Sequence, residues 1–264
     1  MAINPKNFRS AQMACICCAT GGGKGIAVTS LGVVPDDARV VVFDPYGEYD
    51  TKFGKRACHQ YKSKRGFARA FKAAWDSNKP FVLSYFPQGD RLSELDWFGR
   101  LVWEAADGNK ILYPVFEEYG KCTESVAKDE TIVGEIYSGG RKFGLRATTI
   151  FQRSAEVPKT IWGNSQIKVI GSQEYTADAK RIVDQLGCPI DEISELSTLN
   201  EALTMFAPKL NDHVRTKVHY LVAKGFRNYE KKAAMVEPAR SLVKNWSKEQ
   251  QQLSASSDYA LVNP

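Results

Sequence analysis

Short apolar segments alternate with segments of helical periodicity along most of this 264-residue chain. Short apolar runs between turn signals predict buried strands. Six such runs occur, at Met13 to Cys18, Arg39 to Asp44, Phe81 to Phe86, Ile111 to Phe116, Ala147 to Phe151 and Ile167 to Gly171. Strands that lack a polar face are typical of a parallel sheet covered on both sides by helices, so the pattern predicts an α/β fold.

The segments between and after these strands carry apolar residues at helical spacing. They predict helices at Lys62 to Trp75, Ser93 to Ala106, Thr131 to Ser138, Thr176 to Leu186 and Asp191 to Leu203, and Val218 to Ala223 predicts a late strand. Beyond Lys231 the chain turns polar. We therefore divide it into a core at residues 1–190 and a small helical or mixed C-terminal extension at residues 191–264, where residues 250–264 predict a mobile tail.

Composition and charge narrow the class of protein only slightly. Apolar residues make up 43% of the chain, which is enough for a packed core, and 36 Lys and Arg against 30 Asp and Glu give a net charge of +6. That surplus is compatible with an anionic partner such as nucleic acid but does not identify one. The six cysteines and three histidines lack zinc-ligand spacing, which predicts buried free thiols in a reducing compartment.

The N-terminal sequence has no apolar core of the kind that a signal peptide needs. The longest apolar run, Met13 to Ala19, is far shorter than the roughly 20 residues that span a bilayer. We therefore expect a cytosolic protein with neither a signal peptide nor a transmembrane segment, which reaches another location only when a partner recruits it.

A glycine-rich loop follows the first predicted strand and precedes a helix-compatible segment. Glycines let backbone N–H groups approach a phosphate closely, and a lysine at a helix start contacts the outer phosphates. The predicted nucleotide-binding residues are Thr20, Gly21, Gly22, Gly23, Lys24, Gly25 and Ile26. Two positions depart from the P-loop pattern, since Cys18 replaces its first glycine and Gly25 replaces the hydroxyl residue that binds Mg²⁺. The alternative is a glycine-rich turn that binds no ligand.

Two carboxylates, Glu117 and Glu118, directly follow the strand predicted at Ile111 to Phe116. In an NTPase the first would hold hydrated Mg²⁺ and the second would orient and deprotonate the attacking water. Glu117 stands where aspartate is usual, and Pro114 is unexpected in a strand because it removes a hydrogen-bond donor. Taken alone, such a pair is more typical of a solvated loop, but a P-loop upstream favours the NTPase interpretation.

Gln152 and Arg153 follow the strand predicted at Ala147 to Phe151, at the strand end where open α/β sheets bind ligands. Gln152 is placed to sense an outer phosphate or to position water. Shortly before this strand, Arg141 and Lys142 lie in a glycine-flanked segment that predicts a flexible turn. Arg141 is a candidate arginine finger for the nucleotide of a neighbouring subunit, and a solvated turn is the alternative.

Together these segments resemble the HerA/FtsK superfamily of P-loop translocases over about residues 12–185. The resemblance lies in an ordered set of motifs. These are the Walker A loop at residues 18–25, the DPYGEY stretch after the second strand at 44–49, the Walker B segment at 111–118, the arginine-bearing turn at 140–144 and the Thr-Gln-Arg strand at 148–154. The compact size is most similar to the genome-packaging ATPases of tailless, membrane-containing icosahedral viruses.

This resemblance implies a RecA-like (ASCE) P-loop fold with a mainly parallel central sheet flanked by helices. It also implies hydrolysis of ATP with Mg²⁺ by a homo-oligomeric ring, hexameric or alternatively pentameric, that threads double-stranded DNA through its pore. The strand before Gln152 is expected between the Walker A and Walker B strands. Carried over by position, Lys24 binds phosphate, Glu117 assists Mg²⁺, Glu118 is the catalytic base, Gln152 is the sensor and Arg141 is the finger acting in trans, with Arg153 as the second candidate.

The densest basic segment lies in the helix predicted at Lys62 to Trp75, where helical spacing places Arg65, Arg69 and Lys72 on one face. Translocation requires contacts to phosphates that ignore base sequence, so these three residues are candidate DNA contacts. An ordinary amphipathic surface helix accounts for the same pattern.

The sequence is consistent with three functions. The first is a motor that packages a viral genome into a preformed capsid, acting in the host cytoplasm and virion with capsid-vertex, packaging-complex or vertex membrane proteins as partners. The second is a related ATPase for DNA transfer or phage assembly. The third is a nucleotide-binding scaffold with little turnover, because the P-loop hydroxyl and the Walker B aspartate are both missing.

Overall fold

The computed structural model describes residues 2–123, 126–206 and 216–236 and contains a nine-stranded sheet with helices on both faces. The strands are β1 (Ala14–Cys17), β2 (Arg39–Phe43), β3 (Lys52–Phe53), β4 (Arg56–Ala57), β5 (His59–Tyr61), β6 (Phe81–Tyr85), β7 (Tyr113–Phe116), β8 (Thr148–Phe151), β9 (Ile167–Ile170), β10 (Thr216–Gly225) and β11 (Asn228–Val236). The helices are α1 (Lys24–Ser30), α2 (Lys64–Asp76), α3 (Arg91–Ala105), α4 (Ile132–Gly139), α5 (Lys159–Asn164), α6 (Thr176–Leu186) and α7 (Ile190–Phe206).

The strand order of the sheet is β11-β10-β9-β1-β8-β7-β2-β6-β5, and β3 pairs with β4 in a separate hairpin. The strands from β9 to β5 are parallel, whereas β10 pairs antiparallel with both β9 and β11. β8 lies between β1 and β7, the position that the resemblance predicts for the strand before Gln152. Because parallel strands end at the same edge of a sheet, the segments that follow β1, β7 and β8 meet there.

Because successive side chains of a strand point to opposite faces, the apolar strands build one apolar layer on each face of the sheet. In β2, Val41 and Phe43 face the first layer, whereas Val40 and Val42 face the second. The first layer packs against α2, α3, α4 and α6, and the second is covered by α1 and the β3–β4 hairpin. The central strands are therefore buried on both faces, which confirms the predicted α/β fold with a mainly parallel sheet.

Local pairing explains why Pro114 is tolerated inside the central strand β7. Leu112 donates its N–H to Gly144 and accepts from Arg146, so alternation directs the backbone of residue 114 toward the same neighbouring segment. The N–H that Pro114 lacks falls between the isolated Leu112–Leu145 bridge and the regular β7–β8 pairing that begins at Val115, so its absence removes at most one hydrogen bond at the start of that pairing.

All the predicted helices and strands are present, with ends that differ by a few residues. The short strands β3, β4 and β5, the helix α5 and the polar strand β11 were not predicted from the sequence. The six cysteines are buried free thiols, as predicted. Within the described residues, no helix combines the length and the apolar character needed to cross a bilayer.

The C-terminal hairpin β10–β11 continues the core sheet beyond β9. Residues on both sides of the predicted boundary at 190 therefore contribute to one sheet, and the division into core and extension stays a prediction. The predicted mobile tail at residues 250–264 lies outside the described residues.

Candidate nucleotide-binding site

The glycine-rich loop connects β1 to α1 at the edge of the sheet where the parallel strands end. Gly21 and Gly23 have φ angles of +75° and +80°, which residues with a Cβ rarely adopt. The N–H of Gly22 donates to the carbonyl oxygen of Ala19 at 2.9 Å and closes the turn. The loop thus has the open backbone that a bound phosphate requires, and it leads directly into the helix that begins at Lys24.

Neighbouring strands fit closely against this loop. Tyr220 on β10 donates its hydroxyl to the carbonyl oxygen of Gly23 at 2.8 Å, and a Cβ on Gly23 would lie 2.5 Å from that hydroxyl oxygen. Cys18, which replaces the first glycine of the pattern, is fully buried, and burial raises the pKa of its thiol to about 12. A Cβ on Gly171 would lie 2.5 Å from the Cys18 Sγ, so this glycine after β9 makes room for the thiol.

Lys24, Glu118 and Gln152, each predicted from a different segment, come together at this edge. Nζ of Lys24 lies 3.4 Å from Oε1 of Glu118, and Nε2 of Gln152 donates to the same oxygen at 2.7 Å. Thr20 Oγ1 donates to Gln152 Oε1 at 3.4 Å. The Lys24 and Glu118 side chains are only 12% and 7% exposed. A shielded cation, carboxylate and amide are the groups that phosphoryl transfer to water uses.

Glu118 adopts a left-handed backbone conformation, with φ +50° and ψ +41°, directly after β7. Such a conformation costs a residue with a side chain roughly 1–2 kcal/mol and is concentrated at functional sites. It turns the chain from β7 into the short 3₁₀ helix Tyr119–Cys122. The carboxylate is thereby held beside Lys24 and Gln152.

Glu117 is buried among other acidic groups. Its side chain is 3% exposed, and Oε1 accepts a hydrogen bond from the hydroxyl of Tyr49. Burial raises the pKa of Glu117 to about 8; the Tyr49 hydrogen bond opposes the rise, and the carboxylates of Glu48, Glu118 and Asp44 add to it. A cation bound nearby would favour the ionised form of Glu117, so this environment suits a divalent cation.

The segment that follows β2 places Tyr49 against Glu117. Asp44 is fully buried, and its carboxylate oxygens accept the N–H groups of Glu48 and Tyr49, both at 2.9 Å. The hydroxyl of Ser84 on β6 donates to the same carboxylate at 3.1 Å. A buried carboxylate that caps its own turn in this way fixes the path of the loop.

The residues near the P-loop fit a hydrated Mg²⁺ ion bound together with the phosphates of a nucleotide. Mg²⁺ prefers oxygen ligands and usually keeps several waters, so a single protein carboxylate would be enough to hold it, and Glu117 would be that carboxylate. In the three described ranges, no group of three or more His, Cys, Asp or Glu side chains forms a metal centre by itself. A cleft of about 440 Å³, lined by the P-loop with Glu48, Tyr49 and Lys52, opens beside this loop.

Arg153 lies at the same edge, one residue after Gln152, but has partners of its own. Its Nε donates to Oδ2 of Asp178 at 3.0 Å, and its guanidinium carbon lies 4.3 Å from the ring centroid of Tyr175. The Asp178 side chain is 2% exposed, so Arg153 neutralises a buried carboxylate. This contact gives Arg153 a structural role within its own chain.

Arg141 lies at the opposite edge, where the parallel strands begin. It belongs to the 3₁₀ helix Gly140–Phe143, which corrects the predicted flexible turn. One of its terminal nitrogens donates to the backbone oxygens of Asn7 and Arg9, just before β1. Within one chain this side chain is separated from Lys24 by the length of the strands, so contact with a nucleotide requires a neighbouring subunit.

The candidate DNA contacts Arg65, Arg69 and Lys72 are exposed on α2, whose opposite face buries Phe67 and Phe71. Lys72 Nζ pairs with Asp76 at 2.7 Å. α2 packs beside β5 and β6, at the end of the sheet away from β1. The structure thus places these residues on an amphipathic surface helix, and their contact with DNA stays a prediction.

Comparison with solved structures shows that the chain has the fold of the ASCE P-loop ATPases of the FtsK/HerA type over most of its length. No protein-family model and no curated protein matches the chain. The identities to the solved structures are low, so these matches show the fold alone.

Two of the similar structures illustrate this class. The genome packaging NTPase B204 from Sulfolobus turreted icosahedral virus 2, in complex with AMPPCP, matches with a TM-score of 0.54 and 12% identity over 87% of this chain and 98% of B204. The bacterial conjugative coupling protein TrwBΔN70 matches with a TM-score of 0.53 and 12% identity over 87% of this chain and 86% of the solved TrwBΔN70 chain. B204 has also been solved in complex with AMP and with ATPγS.

Three residues of the site were not predicted from the sequence. Asp44 and Tyr49 belong to the DPYGEY stretch, which carried part of the family resemblance but gave no role to either residue. Tyr220 gave no signal, because its contact with Gly23 joins positions 197 residues apart.

Proposed function

We propose that this chain is an ATP-hydrolysing double-stranded DNA translocase that packages a viral genome into a preformed capsid. The observation that carries the ATPase is the meeting of Lys24, Glu118 and Gln152 beside a glycine-rich loop. The packaging role is supported by the match to B204, 98% of whose length is covered.

The proposed chemistry assigns one task to each group. The loop from Thr20 to Ile26 and the Lys24 ammonium bind the phosphates, and Glu117 holds the hydrated Mg²⁺ that neutralises their charge. An outer phosphate competes with Glu118 for Lys24, which releases the Glu118 carboxylate to accept the proton of the attacking water. Gln152, now bonded to Glu118, orients that water or the outer phosphate.

The proposed assembly is a hexameric or pentameric ring with double-stranded DNA in its pore. Arg141 reaches the nucleotide of the adjacent subunit, and Arg153 is the second candidate for that task. Arg65, Arg69 and Lys72 contact DNA phosphates without reading sequence. The motor works in the host cytoplasm and the virion, docked on capsid-vertex, packaging-complex or vertex membrane proteins.

The first experiment measures phosphate release by the purified chain with Mg²⁺-ATP, with and without linear double-stranded DNA. We expect turnover that rises with DNA and falls at least about a hundredfold in Lys24→Ala, since Lys24 contacts the phosphates during transfer. Lys180→Ala, an exposed lysine on α6, is the matched control and should leave turnover unchanged. Absence of turnover in both the free chain and assembled particles would contradict the proposal.

A second candidate, a motor for DNA transfer between cells, is favoured by the match to TrwB. The two candidates share the ATPase and differ in cargo. Uptake of DNA into purified empty capsids, measured as DNA protected from nuclease, supports packaging. DNA-stimulated turnover without such uptake, from a gene that has no capsid gene nearby, supports transfer instead.

A further inference from the structure

Tyr49 brings a hydroxyl group to the P-loop position that lacks one. Gly25 stands where the P-loop pattern has Ser or Thr. A Cβ placed on Gly25 would lie 3.6 Å from the hydroxyl oxygen of Tyr49. The phenol oxygen therefore lies beside the place where the hydroxyl of a serine at position 25 would be.

The same phenol also contacts the carboxylate that follows β7. The Tyr49 hydroxyl donates to Oε1 of Glu117. In P-loop NTPases the loop hydroxyl and the carboxylate at the end of the Walker B strand hold Mg²⁺ together. The single hydroxyl oxygen of Tyr49 thus lies beside both the side-chain position of residue 25 and the carboxylate of Glu117.

Tyr49 is held rigidly in this position. Its side chain is 5% exposed, its N–H donates to Asp44, and its ring packs on Phe53 with centroids 5.2 Å apart. It also lines the cleft beside Gly25. A group fixed by a buried turn and an aromatic neighbour orients a ligand at little further cost in entropy.

We propose that Tyr49 is a positioning residue that replaces the missing P-loop hydroxyl. Its phenol orients the Glu117 carboxylate and presents an oxygen beside Gly25 to the hydration shell of nucleotide-bound Mg²⁺. This inference rests on the proposed ATP-binding function and specifies how a chain with glycine at position 25 retains magnesium dependence.

The test measures nucleotide binding and therefore does not depend on turnover. A fluorescent ATP analogue is titrated onto the full chain in EDTA and again at increasing Mg²⁺ concentrations. We expect Tyr49→Phe to leave affinity in EDTA unchanged and to raise the Mg²⁺ concentration for half-maximal tightening at least about tenfold. Tyr85→Phe is the matched control, since that buried phenol also donates to a glutamate, Glu94, and should change neither value.

Rescue separates the hydroxyl from the shape of the side chain. Gly25 lies in α1 with a Tyr49 contact of ordinary length, so a small side chain fits there. In the Tyr49→Phe background, Gly25→Ser should restore the wild-type Mg²⁺ dependence, whereas Gly25→Ala should not. In the wild-type background, Gly25→Ser should add little, because Tyr49 already supplies the hydroxyl.

Each outcome decides the matter. An unchanged Mg²⁺ dependence in Tyr49→Phe, or equal rescue by serine and alanine, overturns the inference and leaves ATP binding intact. If Tyr49→Phe does not fold, Gly25→Ser in the wild-type background decides. A tenfold gain in Mg²⁺ sensitivity would show that Tyr49 does not supply the missing hydroxyl and would overturn the inference, whereas little change supports it. A wild-type chain that binds no nucleotide with or without Mg²⁺ overturns both this inference and the proposed function.

Discussion

Glu118 combines a left-handed backbone with a carboxylate that contacts both Lys24 and Gln152. Backbone strain persists only where the surrounding structure maintains it. Here β7 fixes the residue from one side and the 3₁₀ helix Tyr119–Cys122 from the other. These flanking elements hold the carboxylate in place despite the cost of the backbone conformation, as the proposed general-base role requires.

The substitution Glu118→Gln tests this role, because it retains the shape of the side chain and removes its ability to accept a proton. We expect phosphate release to fall by about 10²- to 10⁴-fold, with little change in the affinity for ATP. Glu130→Gln, at an exposed glutamate paired with Lys128, is the control and should leave both quantities unchanged. Turnover that survives Glu118→Gln would point to a contaminating ATPase and favour the scaffold interpretation.

Gly23 is the loop position where an added methyl group is most harmful. Its Cβ would lie 2.5 Å from the Tyr220 hydroxyl oxygen and 3.0 Å from Cγ1 of Val218. We expect Gly23→Ala to lower both the melting temperature and the affinity for ATP, because the loop must move away from β10.

The matched control is Gly32→Ala, where φ is +72° and no atom lies within 4 Å of the added Cβ. Gly32→Ala should lower the free energy of unfolding by about 1 kcal/mol, the cost of a left-handed backbone for a residue with a Cβ, and should leave ATP affinity unchanged. Thermal unfolding measures the first quantity. Equal losses of ATP affinity in both variants would show that the β10 contact has no bearing on the loop.

Local patterns predicted the residues of the site that lie in the segments just after the strands. Lys24, Glu118 and Gln152 each stand within a few residues of an apolar run, and parallel strands bring such positions to one edge. The contact of Tyr49 with Glu117 was not predicted, because the two residues are 68 positions apart in the sequence. A contact of that kind depends on the course of a turn that periodicity does not describe.

At the level of elements, prediction succeeded for the strands at the centre of the sheet and failed toward its margins. β1, β2, β7 and β8 are buried on both faces and therefore stand out as unbroken apolar runs. β5 and β11 are the edge strands, and β3 and β4 have two residues each. Edge strands accept polar residues and short strands have no measurable period, so neither leaves a clear signal.

The helix α2 offers a test of DNA contact at this level. Its basic face is exposed, and Arg65 and Arg69 are the arginines on it. If that face lines the pore, Arg65→Ala with Arg69→Ala should raise the DNA concentration for half-maximal ATPase stimulation and reduce its salt dependence by roughly one phosphate contact per arginine.

A matched pair on other helices controls for the loss of charge in that experiment. Arg100→Ala on α3 and Lys180→Ala on α6 remove two exposed cations elsewhere. These should leave stimulation by DNA close to that of the wild type. Equal stimulation in both double variants would exclude α2 from the pore and leave it as an amphipathic surface helix.

For the whole molecule, the parallel sheet separates two functional groups in space. Lys24 lies where the strands end, and Arg141 lies where they begin, bound to the backbone before β1. Identical subunits in a ring meet through a heterologous interface, in which one surface of a subunit contacts a different surface of the next. In the proposed ring, such an interface would let Arg141 complete the nucleotide site of a neighbouring subunit.

Mixing two inactive variants tests whether Arg141 acts across that interface. Lys24→Ala removes the P-loop lysine and Arg141→Ala removes the finger, so each variant alone should lack DNA-stimulated turnover. In mixed rings, an Arg141→Ala subunit retains its P-loop and receives Arg141 from a Lys24→Ala neighbour. Random mixing at equal amounts makes about a quarter of the interfaces complete, so turnover should reappear at up to that fraction of the wild-type rate.

The control is Arg9→Ala, which loosens the same N-terminal segment because Arg9 donates to the carbonyl oxygens of Gly108 and Asn109. This variant should stay active alone. Recovery with Arg153→Ala in place of Arg141→Ala, and none with Arg141→Ala, would transfer the finger role to Arg153.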